Sequence, residues 1–106
     1  MLNTLTKILI FGTEWKDMEI KIEKLKKSIC NHEYDIDEDN EFALKLLPHI
    51  TILSEKLTEL YLELKECLHE ENLEEIQTTL KNLNFRMKTV DNAYYNLWNL
   101  HNIQSR

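Results

Sequence analysis

The stretch LEEIQTTLKNLNFRMKTVDNAYYNLWNLHNI, residues 73–103, decides the fold. Its residues Leu73, Ile76, Leu80, Leu83, Met87, Val90, Tyr94 and Leu97 recur at alternating spacings of three and four. That rhythm marks one face of an α-helix, which completes a turn in about 3.6 residues, and it resembles a coiled-coil seam. A half-buried strand would alternate every second residue instead. Past Asp91 the stripe broadens, because Tyr95, Trp98, Leu100 and Ile103 add apolar surface on other faces.

Two more seams lie upstream. Ile8, Phe11, Trp15, Met18, Ile22, Leu25 and Ile29 predict a helix over residues 4–30, capped by Asn3 or Thr4 and stopped near Asn31. The phase runs unbroken through Gly12, so one helix is expected although glycine there costs about 1 kcal/mol relative to alanine. A break at Gly12 with Thr13 as a new cap is the alternative. Leu46, Ile50, Leu53, Leu57, Leu60, Leu64 and Cys67 predict a second helix over residues 40–69, flanked by Ala43, Leu47, Tyr61 and Leu68 and capped by Asp37 or Asp39. Pro48 either kinks this helix or starts it. The kinked helix is favoured, since Phe42, Ala43 and Leu46 already lie in phase with the stripe.

The third helix should run over residues 73–102, with Asn72 as N-cap and Glu75 as its capping-box partner. Short connections make consecutive helices antiparallel neighbours. The expectation is a single all-α domain over residues 1–106, an up-down-up antiparallel three-helix bundle with coiled-coil-like seams.

Composition agrees. The chain has 106 residues with one Gly and one Pro, too little turn chemistry for an all-β fold. Its formal charge of −6 is unevenly spread: residues 4–30 carry six lysines against four acids, whereas residues 31–41 carry six acids and no base. So acidic a chain is a poor binder of nucleic-acid phosphates, and no direct nucleic-acid binding is expected. Lys21, Lys24, Lys26 and Lys27 read as a solvated helix face, with Asp17–Lys21 and Glu23–Lys27 as i,i+4 pairs. The apolar run at residues 8–11 is far too short for a signal-peptide core or a membrane span. A cytoplasmic protein without membrane contact is expected.

Cys30 and Cys67 end successive helices that point opposite ways, so they should stay unpaired, as suits a reducing compartment. Cys67 on the seam reads as a small buried hydrophobe. Glu66-Cys67-Leu68-His69 has the Glu-x-x-His spacing of di-iron bundles, but it occurs once and at a helix end, where solvation is the simpler reading. Asp35, Asp37, Asp39 and Glu41 match alternate positions of a calcium loop, yet Asn40 stands where the turn glycine belongs and Leu46 where the bidentate Glu belongs. No metal or cofactor is therefore expected. A single glycine builds no phosphate loop, and the four histidines form no nucleophilic grouping. Nothing argues for an enzyme.

Residues 22–68 resemble the tubulin-binding cofactor A family in Ile22-Glu23-Lys24-Leu25, Tyr34-Asp35-Ile36, Leu57 and Tyr61-Leu62-Glu63-Leu64. The resemblance implies a monomeric three-helix bundle that holds a folding intermediate of β-tubulin.

The remaining signal is surplus hydrophobicity. Six of the ten residues 94–103 are apolar or aromatic, and Trp and Tyr are the usual anchors of protein interfaces. The expected function is binding and modulation of another protein, a second copy of the chain included. Tyr95, Trp98, Leu100 and Phe85 would be its apolar anchors, and Asp35, Asp37 and Asp39 its charged rim. A metal-binding bundle is the remaining alternative.

Overall fold

The computed structural model describes residues 2–31 and 37–105, with side chains for residues 3–30 and 45–102. Three helices, α1 (Leu2–Asn31), α2 (Asp37–Cys67) and α3 (Leu73–Ser105), pack against one another as a three-helix bundle. It is a rod, 56 Å long and 18 by 17 Å across. Its length follows from α3, whose 33 residues at about 1.5 Å each span about 50 Å.

The three seams meet in a single core. Phe11, Met18, Ile22, Leu25 and Ile29 of α1 are buried in one cluster with the six α2 seam residues from Leu46 to Leu64 and with Leu80, Leu83, Met87, Val90 and Leu97 of α3. The seventh α2 seam residue, Cys67, is buried as well. Each such side chain contributes about 1.5–3 kcal/mol by leaving water. Ile8, Trp15, Ile76 and Tyr94 are partly buried around this core. Leu73 departs from expectation: as the first residue of α3 it has no preceding turn to pack with, and it is exposed.

Polar contacts fix how the helices lie. At one end the Gln77 side-chain amide donates to the buried Thr4 hydroxyl at 3.3 Å. At the other, Ser28 Oγ and His101 Nε2 share a hydrogen bond of 3.0 Å. Starts of α1 and α3 thus lie together, as do their ends.

Several helix ends differ from the sequence reading. The first helix begins at Leu2, so neither Asn3 nor Thr4 is its cap, and Thr4 serves inside the bundle instead. Gly12 lies within unbroken helix, where a Cβ would meet nothing within 4 Å. The second helix begins at Asp37 and ends at Cys67, and it contains Pro48, which removes one backbone bond to the Leu44 carbonyl. Asp37 and Asp39 are therefore first-turn residues of α2, and Asp39 is not its cap.

Asn72 caps α3, accepting the Glu74 N–H at 2.9 Å and the Glu75 N–H at 3.4 Å. The reciprocal half of the capping box is made by another residue. Glu70, not Glu75, accepts the Asn72 N–H, at 3.0 Å, together with the Glu71 N–H at 3.0 Å.

Candidate partner-binding flank

Three helices leave three flanks, and their chemistry differs. Between α1 and α2 the Trp15 indole N–H donates to the Leu57 carbonyl at 2.7 Å, and its ring lies 5.1 Å from that of Tyr61. Lys65 covers the Tyr61 ring from 5.5 Å. Between α2 and α3 the Arg86 guanidinium donates to Glu63 and lies 3.9 Å from Glu59.

The α1–α3 flank is open. A groove of about 490 Å³ runs along it, with Met18 and Met87 buried at its floor and Glu14, Asp17, Lys21, Asn84, Lys88 and Asp91 as its walls. Methionine adapts its shape to what packs on it. Lys21, expected to pair with Asp17, instead lies 5.7 Å over the Tyr95 ring. Tyr94 is half-buried beside it, and burial pushes its phenol pKa up, partly offset by the Lys21 charge. One turn further on, the Trp98 ring stands 6.1 Å from that of His101, the buried partner of Ser28.

Tyr95 and Trp98 thus share the α1-facing side of α3 beyond the groove, with 46% and 36% of their surfaces exposed. Their neighbours Tyr94 and His101 are held by the core, which gives the two exposed rings a rigid base. Leu100 does not join them. Two residues after Trp98, it lies about 200° round the helix and faces the other way. Phe85 is 71% exposed but stands about 15 Å from Tyr95 along the axis. The single apolar patch expected at the end of α3 is therefore a pair, with the Lys21 ammonium over Tyr95 and the Asp91 carboxylate one turn before it. Asp35 lies outside the described residues, and of Asp37 and Asp39 only the helical backbone is described.

The other candidates resolve as follows. Cys30 is exposed, Cys67 is buried, and neither forms a disulfide. Burial, with the Glu70 charge, raises the Cys67 thiol pKa, so it is a poor nucleophile. Helix α2 ends before His69, so Glu66 and His69 do not share a helical face. Among the described residues no group of three or more His, Cys, Asp or Glu side chains is arranged to hold a metal ion. Among them, too, no helix is long and apolar enough to cross a membrane.

The groove itself was not anticipated. Its signal was present: Glu14, Asp17 and Lys21 flank one seam and Asn84, Lys88 and Asp91 the other, so polar side chains meet where the α1–α2 flank has Trp15 and Tyr61.

Comparison with family models, with curated proteins and with solved structures finds no match. The likeness of residues 22–68 to tubulin-binding cofactor A rests on its own quoted residues.

Proposed function

We propose that this chain is a small, non-enzymatic protein that binds and modulates another protein through its α1–α3 flank. It acts by occlusion, in the manner of inhibitors, immunity proteins, antitoxins or phage accessory proteins. The observation that carries the reading is the open flank itself. Of the three, this one has a methionine-floored groove leading to two exposed aromatic rings on a rigid base. Tyr95 and Trp98 are the anchors, large amphipathic rings that lose little conformational entropy on binding. The walls of the groove, with acids and lysines interleaved, set the orientation of the partner. A cytoplasmic location accompanies this reading, since two unpaired thiols suit a reducing compartment.

The test compares capture by the wild-type protein and by the double variant Tyr95→Ala/Trp98→Ala from a lysate of the source organism, with mass spectrometry. Both proteins should show the same helicity. A partner retained by the wild type and lost by the variant is the expected result. Equal capture by both removes the aromatic pair as the anchor.

A further inference from the structure

The opposite end of the rod has its own apolar surface. The Thr4–Gln77 contact brings the start of α1 beside the start of α3, and residues 68–72 join α2 to α3 there. Leu5, Leu68 and Leu73 are exposed at this end, Leu68 by 55%. Leu68 and Leu73 are interspersed with glutamates, since residues 66–75 hold five and no Lys or Arg, whereas Lys7 stands beside Leu5 on α1. Among the described residues none of these glutamates has an ion-pair partner, because Arg86 is engaged by Glu59 and Glu63 and Lys65 lies over Tyr61. Glu70 lies close enough to Glu75 to raise its pKa, by accepting a hydrogen bond from the protonated acid and by repelling the carboxylate.

We propose that this end docks a basic amphipathic segment of a partner protein, one that sets leucine-like side chains against Leu5, Leu68 and Leu73 and Lys or Arg against the surrounding glutamates. Charge complementarity selects the occupant. A second copy meeting this end face to face would bring glutamates against glutamates, and like charges across an interface are strongly disfavoured. A basic segment relieves the crowding and covers the leucines at once. The surface is separate from the aromatic pair, so one molecule has two sites of different chemistry at its two ends.

The experiment is an amide NMR titration of the full chain with a synthetic helical peptide of Leu and Lys in amphipathic repeat, with polylysine as the control lacking apolar groups. The expected result is perturbation confined to Leu5 and residues 66–79, with affinity that falls as salt rises. Glu66→Lys with Glu71→Lys and Glu74→Lys spares the turn-forming Glu70, and should weaken binding about tenfold or more at unchanged helicity. Leu68→Ser should weaken it about threefold, whereas Tyr95→Ala/Trp98→Ala should leave it unchanged. The proposal is overturned by equal binding to the charge-reversed variant, by polylysine binding as tightly as the peptide, or by perturbations on the α1–α3 flank. Self-association through the leucines, read by sedimentation, overturns it as well.

Discussion

The two flanks of α1 show how one helix supports both closure and access. Towards α2 it presents Trp15, whose indole has its N–H bonded and its ring packed against Tyr61, so the gap is filled and the polar atom is satisfied. Towards α3 it presents Glu14, Asp17 and Lys21, side chains that keep their charged ends in water and leave a groove behind them. The same seam supports both sides. What differs is the side chain at each edge of the seam, an aromatic ring towards α2 and charged groups towards α3.

The sharpest way to break the contrast is to unseal the closed side. Trp15→Ala removes a large, partly buried ring and leaves the Leu57 carbonyl without its extra donor, and should cost about 3 kcal/mol in chemical denaturation. Trp15→Phe keeps most of the packing and should cost about 1 kcal/mol less than that. Next in size is the α2–α3 clamp. Arg86→Met removes a partly exposed double ion pair, for which about 1 kcal/mol or less is expected, shrinking as salt is added. In the opposite sense, Gly12→Ala on α1 should raise stability by about 1 kcal/mol, since the helix is continuous there and the new methyl meets open space. Tyr95→Ala on the open flank should change stability by about 0.5 kcal/mol or less, a loss of function without a loss of fold. If Tyr95→Ala proves as costly as Trp15→Ala, the open flank is structural and the contrast fails.

The smallest effect belongs to the turn. Glu75 holds its proton to higher pH than an ordinary glutamate because Glu70 accepts its hydrogen bond and repels its charge. Glu70 is held low, first by the Asn72 N–H and then by that same bond to Glu75. The contact should therefore persist between the two titrations. It is lost as pH rises through the raised Glu75 value, and equally as pH falls through the lowered Glu70 value. Glu75→Gln replaces the acid proton with an amide donor and should abolish the upper edge of that window, read as a vanished titration in the NMR shifts of residues 70–75.

The seams were legible because burial follows helical period whatever the neighbours are. Phe11, Leu25, Ile50, Leu60 and Leu83 all stood in step in the sequence, and all are fully buried. The flanks were harder, since whether Glu14 or Trp15 closes a gap depends on which helix lies on that side. Leu100 shows a different limit. Its nearness to Trp98 in the sequence suggested one patch, but a spacing of two on a helix separates faces. The expected start of α2 falls three residues late because Asp37 and Asp39 read as alternative caps, whereas the helix already includes both.

Two tryptophans, one on each flank of α1, make the protein its own spectroscopic gauge. Trp15 donates to a backbone carbonyl and is shielded by Tyr61, so its emission should lie to the blue and resist acrylamide quenching. Trp98 is more exposed, so its emission should lie to the red and quench readily. A ligand settling on the open flank should shift and protect the red component alone, and the blue one should move only when the bundle comes apart.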